Sequence, residues 1–108
     1  MAIFTPQGRD ATADGVVALL SGDPRIEGAV YVGSSAGGAD RWSDVDLVAV
    51  LVAGADPAAV ASGWVRRMYD VLPVLHHFET AFGATPVRGF LLADLLEVDL
   101  ALDRKSVV

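Results

Sequence analysis

The sequence has no cysteine and few basic residues, with 8 Lys and Arg against 14 Asp and Glu in 108 residues. Without cysteine, a disulfide framework and a Cys-based zinc site are both excluded, so the fold must rest on a hydrophobic core. A formal net charge of -6 excludes the basic surface with which a general nucleic-acid-coating protein neutralises phosphates. Any nucleotide that this chain handles is therefore expected to arrive with metal ions.

Long hydrophobic runs are also missing. The longest uncharged apolar segment, residues 47–55, is far shorter than the roughly 20 residues that a membrane-spanning helix needs. No secretory signal is visible at the amino terminus. We therefore expect a cytoplasmic protein without a membrane partner, and the length fits one compact domain.

The last six residues, 103–108, match the in-frame translation of a common sequencing-adapter sequence. We therefore expect residues 103–108 to be a non-native, adapter-encoded tail, and residues 1–102 to be the amino-terminal part of a longer protein. The alternative is a genuine, frayed polar terminus.

The spacing of hydrophobic residues predicts an α+β domain. One helix is expected at 12–21, after an irregular segment at 1–10, and a second begins at Pro57 after the N-cap Asp56 with an apolar face reaching Leu75. Strands are expected at 28–33, 44–52, 87–93 and 95–102, with a third strand or an irregular segment at 76–82 and a turn at 83–86. This order indicates a mixed or antiparallel sheet of about four to five strands, with the first two paired and the helices packed on one face.

Two acidic residues lie close together on the second predicted strand. Asp44 and Asp46 are two positions apart, so their side chains leave the same face of the strand. Their negative charges repel each other unless a cation lies between them. Oxygen ligands in this arrangement suit a hard divalent ion such as Mg²⁺. The alternative is an edge strand whose acids prevent aggregation.

Further residues around this pair indicate phosphate chemistry. Gly33 and Ser34 end the neighbouring predicted strand, where a glycine lets the backbone approach a phosphate. Asp99 lies inside an apolar run, where a charge is costly unless it is paired or bound to metal, and Glu97 shares its face. Carboxylates from two strands and a phosphate-facing loop are typical of metal-assisted phosphoryl or nucleotidyl transfer.

At these residues the chain resembles the nucleotidyltransferase superfamily of the DNA polymerase beta type. Its pattern is a Gly-Ser pair, here Gly33-Ser34, then an acid-x-acid strand, here Asp44-Val45-Asp46, then a third acid, here Asp99. Residues 30–51 look especially like small bacterial nucleotidyltransferases and the amino-terminal domains of antibiotic nucleotidyltransferases. Many close relatives carry an arginine soon after the Gly-Ser pair, whereas the nearest cation here is Arg41.

The resemblance implies a role for each matching residue. Gly33 and Ser34 would hold the nucleotide phosphates. Asp44 and Asp46 would ligate two Mg²⁺ ions, with Mn²⁺ as a substitute. Asp99 would complete one metal site or activate the attacking hydroxyl. Residues 1–102 would then be a nucleotidyltransferase catalytic domain.

The reaction implied by the resemblance is transfer of a nucleoside monophosphate from a nucleoside triphosphate, expected to be ATP, to a hydroxyl acceptor of unknown identity. A helical domain that binds the acceptor would follow the catalytic domain. One alternative is a single-domain antitoxin that pairs with a HEPN-type toxin. A second alternative is a domain that binds nucleotide without turnover.

Other polar and aromatic residues are expected to be structural. Adjacent side chains diverge in a strand or a helix, so His76 and His77 are not expected to share a metal. Arg66 and Arg67 fall on the solvated side of the second predicted helix. Trp42 is expected to pack over the loop before the second strand.

Overall fold

In the computed structural model, which describes residues 3–32 and 44–104, the chain forms two helices and one five-stranded sheet. The elements in chain order are α1 (Pro6–Ser21), β1 (Ile26–Tyr31), β2 (Val45–Leu51), α2 (Pro57–Val71), β3 (Val74–Phe82), β4 (Thr85–Leu92) and β5 (Glu97–Arg104). The predicted α+β class is confirmed. Neither helix in these ranges is long and apolar enough to cross a membrane.

The strands follow the order β1-β2-β5-β4-β3 across the sheet. Strand β2 pairs with β5 in parallel, whereas the other three pairs are antiparallel, so the sheet is mixed, as expected. The predicted pairing of the first two strands is also confirmed. Because β2 lies between β1 and β5, the alternative that its acids protect an edge strand is wrong.

The hydrophobic core lies between the helices and one face of the sheet. Alternate residues of β2 and β5 are buried, as expected for strands that are covered on one side. They form one cluster with the buried residues of α1 and α2. The buried strand residues are Val45, Leu47, Ala49, Leu51, Val98, Leu100 and Leu102. The intervening side chains therefore lie on the opposite face, here called the open face.

Helix α1 starts earlier than predicted. The prediction of an irregular segment at 1–10 is wrong from Pro6 onward, because the helix already starts there. Thr5 is the N-cap, and its side-chain oxygen accepts a hydrogen bond of 3.0 Å from the Gly8 amide. Pro6 then occupies the first helical position, where its missing N–H costs nothing. Pro6 and Gly8 favour a loop when the sequence is taken alone. In the structure they belong to the first turn of a capped helix.

Helix α2 begins as predicted. The Asp56 side chain accepts a hydrogen bond from the Ala58 amide at 3.2 Å, and Pro57 is the first helical residue. The residues that it buries include Val60, Trp64 and Met68. The helix ends at Val71. The prediction that its apolar face reaches Leu75 is therefore wrong. Leu75 is instead an exposed residue of β3.

The strand boundaries differ from the predicted ones by a few residues. Strand β1 lies two residues earlier than 28–33, and the undecided segment at 76–82 is part of β3. Gly83, with φ +58°, turns the chain within two residues, so the predicted turn at 83–86 is too long. Leu95 adopts φ 70° in the next turn, and β5 therefore starts at Glu97 instead of 95.

The carboxyl end of β5 includes the first two residues of the predicted tail. Asp103 and Arg104 continue the parallel pairing, opposite Val50 and Leu51 of β2. The hydroxyl of Thr85 also donates a hydrogen bond of 3.0 Å to Asp103 Oδ1. The origin of residues 103–108 stays a prediction, and residues 105–108 lie outside the described residues.

Gly63 lies at an exposed position within α2. We expect Gly63→Ala to raise the free energy of unfolding by about 0.5–1 kcal/mol, because alanine loses less backbone entropy than glycine when a helix forms. An added Cβ would lie 3.5 Å from Nη2 of Arg25, which is ordinary van der Waals contact. Urea denaturation of both proteins measures the difference. Gly54→Ala is the matched control and should destabilise, because Gly54 has φ +88°. A less stable Gly63→Ala protein would contradict the prediction.

Candidate active site

The predicted acidic residues come together where β2 and β5 begin. Because these strands are parallel, their amino-terminal ends lie side by side, and Asp46 is the register partner of Asp99. Asp44 directly precedes β2, and Glu97 is the first residue of β5. Residues from two distant parts of the sequence thus meet at one place, as the sequence predicted for Asp44, Asp46 and Asp99.

These carboxylates lie on the open face of the sheet. Val45 and Leu47, which flank Asp46, are buried in the core, and so are Val98 and Leu100, which flank Asp99. The strand alternation therefore directs both carboxylates away from the helices. The core holds the two backbones in place while the acids remain accessible from the other side.

One group of carboxylates has metal-ligand spacing. One oxygen from each of Asp44, Glu97 and Asp99 lies within 4.8 Å of the others. The sequence places Glu97 on the same face as Asp99 but does not by itself assign it to the site. The signal that could have assigned it is its spacing of two residues from Asp99, the same spacing that joins Asp44 to Asp46. Asp46 is next to this group through its pairing with Asp99.

The site concentrates negative charge, and within residues 3–32 and 44–104 no cationic side chain is paired with Asp44 or Asp99. Burial first, and then the neighbouring carboxyl of Glu97 and the negative charge of Asp46, raise the pKa of Asp99 to about 8. Burial, with the charges of Glu97 and Asp46, also raises the pKa of Asp44. The charges of Glu97 and Asp46 both repel a negative charge on these two groups, so a proton or a cation stabilises the cluster.

The donor set fits a hard divalent cation. The Oδ1 atom of Asp99 is buried and accepts no hydrogen bond from the described residues. Such an oxygen is costly unless it binds a cation or a donor. Carboxylate oxygens are the ligands that Mg²⁺ and Mn²⁺ prefer. Asp44, Glu97 and Asp99 could therefore hold such an ion, and the role of Asp46 as a ligand stays a prediction.

A glycine on β4 makes room beside Asp99. Gly89 pairs with Asp99 on one side and with Phe78 of β3 on the other. A Cβ at Gly89 would overlap the Phe78 ring and would lie 2.9 Å from Asp99 Oδ1. The aromatic ring therefore covers the position where a side chain would otherwise stand, next to the buried carboxylate oxygen.

The predicted phosphate-binding residues cannot be placed in this way. Gly33 and Ser34 lie outside the described residues, as do Arg41 and Trp42. The described chain before them ends beside the acids, because the Val32 amide donates a hydrogen bond of 3.0 Å to the Asp46 carbonyl. Nucleotide binding by Gly33 and Ser34 stays a prediction.

Of the two adjacent histidines, His77 makes contacts with α2 and with the core. The hydroxyl of Tyr69 on α2 lies 2.8 Å from His77 Nδ1, and His77 Nε2 lies 3.3 Å from Glu79 Oε2. The His77 ring also stacks on Phe90 of the core, with ring centroids 6.2 Å apart. His77 therefore joins α2 to the sheet on the face opposite the acids. Arg66 and Arg67 are exposed, as predicted.

Comparisons with known proteins identify the fold. No protein-family model matches the sequence, and no curated protein matches it. A solved structure of Cid1, described as having RNA terminal uridylyl transferase activity, is similar over 90% of this chain and 31% of its own, with a TM-score of 0.70 and 16% identity. A second Cid1 structure, described as a poly(U) polymerase, gives a TM-score of 0.68 and 16% identity over 94% of this chain and 31% of that one.

A structure of the GLD-2/RNP-8 complex is also similar, with a TM-score of 0.57 and 18% identity over 89% of this chain and 30% of that one. The chain thus spans about a third of the length of these neighbours. At these identities the likeness establishes the architecture, and it agrees with the resemblance seen at the Gly-Ser pair and the acidic strand. This chain has the α+β nucleotidyltransferase fold that these solved structures share.

Proposed function

We propose that this chain is the catalytic domain of a metal-dependent nucleotidyltransferase. It transfers a nucleoside monophosphate from a nucleoside triphosphate to a hydroxyl group and releases pyrophosphate. The observation that carries the proposal is the convergence of Asp44, Asp46, Glu97 and Asp99 from two strands onto one open face. Among the described residues no cationic side chain pairs with these acids, and such a cluster suits a site for cations and phosphates.

Each acid has a role in this proposal. Asp44, Glu97 and Asp99 would hold a divalent cation, and Asp46 would help to hold a second one. Cations held there would neutralise the negative charge that develops on the leaving pyrophosphate. The hydroxyl oxygen of the acceptor forms a bond to the α-phosphorus, and the bond from that phosphorus to the bridging oxygen breaks. A carboxylate oxygen of Asp99 takes the hydroxyl proton.

The names of the structural neighbours bear on the substrates. Cid1 is described as a terminal uridylyl transferase acting on RNA and as a poly(U) polymerase. An RNA end is therefore one candidate acceptor for this chain, beside the small molecules suggested by the antibiotic-modifying enzymes. ATP remains the expected nucleotide, and the test below compares all four ribonucleoside triphosphates.

Binding of Mg²⁺ with a nucleotide tests the site directly. We expect the thermal midpoint to rise with Mg²⁺ or Mn²⁺, and to rise further when a triphosphate is added. At ligand concentrations 100-fold above the dissociation constant, the gain corresponds to about 2.7 kcal/mol. Asp46→Asn should lose most of this gain, because it removes one of the predicted ligands. Differential scanning fluorimetry measures the midpoints.

Asp103→Asn is the matched control. Asp103 lies on the same strand as Asp99, but it is exposed and contacts Thr85 at the other end of β5. This variant should keep the full response to Mg²⁺ and nucleotide. An unchanged midpoint in the folded wild-type protein, with millimolar Mg²⁺ and each of the four triphosphates, would refute the proposed function.

A further inference from the structure

The ring of Phe78 covers the backbone of Gly89 on the neighbouring strand. It lies over Gly89, in the space that a Cβ would fill, and the same space borders Asp99 Oδ1. Phe78 as a whole residue is nevertheless 41% exposed. A hydrophobic surface therefore adjoins a buried carboxylate oxygen that accepts no hydrogen bond from the described residues. This combination leaves the ring available to a molecule that also reaches Asp99.

The strand order places this ring on one particular side of the acids. Strand β1 lies beyond β2, next to Asp46, whereas Phe78 on β3 lies beyond β4, on the other side of Asp99. The predicted phosphate-binding pair, Gly33-Ser34, follows β1. In phosphoryl transfer the attacking and leaving oxygens lie roughly in line on opposite sides of the phosphorus. With the phosphates on the β1 side, as the resemblance implies, Phe78 lies on the side from which the attacking hydroxyl would come.

We propose that Phe78 determines acceptor specificity by stacking against a planar ring of the acceptor, so that a hydroxyl of the same molecule reaches Asp99. This inference rests on the proposed function and adds a residue to it. Stacking of a ring on an exposed aromatic side chain is favourable and tolerant of the ring's identity. The acceptor class that fits is one that ends in a nucleoside. A sugar or polyol without a ring of this kind gains nothing from Phe78.

The dinucleotide ApA is a suitable probe, with ribose as the acceptor lacking a planar ring. Binding of each is measured by NMR titration of the full chain with Mg²⁺ and a non-hydrolysable ATP analogue. We expect Phe78→Leu to weaken ApA binding about tenfold and to leave ribose and the ATP analogue within twofold. Phe78→Tyr, which keeps the ring, should bind ApA within twofold of wild type.

The matched control is Phe82→Leu, because Phe82 lies on the same strand and the same face, four residues away, and is 80% exposed. It should not change ApA binding. Gly89→Ala is a second variant that displaces the Phe78 ring without removing it, and it should weaken ApA binding as Phe78→Leu does. Thermal midpoints of all variants confirm that they are folded.

Three results would overturn the inference. They are ApA binding that is unchanged in Phe78→Leu, ApA binding no tighter than ribose in the wild type, and loss of ATP-analogue binding instead of ApA binding in Phe78→Leu. In each case Mg²⁺-dependent binding of the analogue to the wild type leaves the proposed function standing. Failure of the wild type to bind that analogue would refute the proposed function itself, and the inference with it.

Discussion

Asp99→Asn is expected to lower the rate of nucleotidyl transfer by about 10²–10⁴-fold, the range found when a general acid or base is removed. Asparagine keeps the size of the side chain but cannot take a proton, and it is a poorer ligand for a divalent cation. The proposed function assigns both roles to this carboxylate, whose Oδ1 accepts no hydrogen bond from the described residues. The measurement is pyrophosphate release, with Mg²⁺, saturating triphosphate and a short RNA as acceptor.

Two comparisons show whether the loss is specific. Asp103→Asn changes a carboxylate on the same strand that is exposed and far from the acids, and it should retain at least half of the wild-type rate. The Asp99→Asn protein should also melt cooperatively, so that a folding defect does not explain the loss. A rate within threefold of wild type would show that Asp99 neither holds the cation nor moves the proton.

The metal-free protein is expected to lose stability as the pH rises from about 4 to about 8. The pKa of Asp99 is about 8 in the folded chain, against roughly 3.9 for an unfolded aspartate. Between these values the native state binds more protons than the unfolded state, so the free energy of unfolding falls with pH. Because the side chain is partly exposed, solvent screening reduces the effect to roughly 1–3 kcal/mol.

Below about pH 4, the free energy of unfolding is expected to fall as the pH decreases. A hydrogen-bonded and ionic contact with Arg25 lowers the pKa of Asp23 to about 2, so its contribution is lost as the pH falls from about 4 toward 2. The metal-free chain should therefore be most stable near pH 4–5. Urea denaturation at several pH values in the presence of a chelator measures this profile.

Asp99→Asn and added Mg²⁺ serve as the two controls for the pH profile. The variant removes the titrating group, so its stability should change much less between pH 5 and pH 8. Mg²⁺ at pH 8 should restore stability to the wild type by replacing the proton with a cation. A metal-free wild type that is equally stable at pH 5 and pH 8, and identical to Asp99→Asn, would contradict the raised pKa of Asp99.

The periodicity of hydrophobic residues and the positions of charged residues in the sequence were sufficient to predict much of this structure. The alternation of β2 predicted that Asp44 and Asp46 share a face, and the cost of a charge within an apolar run identified Asp99. The start of α2 followed from Asp56 and Pro57. The predicted start of α1 was wrong because proline and glycine occur both in loops and in the first turn of a helix. The hydrogen bond from the Gly8 amide to the Thr5 side chain distinguishes the two cases here.

Other parts of the site depend on which strands become neighbours. The parallel pairing of β2 with β5 joins distant segments, and no local pattern specifies it. Glu97 enters the site through that pairing. The contact of Phe78 with Gly89 and Asp99 needs the register of three strands at once. Sequence patterns describe one strand at a time, so they could not predict this arrangement.

The pairing of β2 with β5 also has a consequence for how the chain folds. The β1–β2 and β3–β4 pairs join strands that are neighbours in the sequence, so each can form early. The parallel pair must close a long loop, which is slower, and closing it brings Asp46 and Asp99 together against their own repulsion. Site assembly and the late folding step are therefore one event. Lower pH or a divalent cation should speed refolding of this chain.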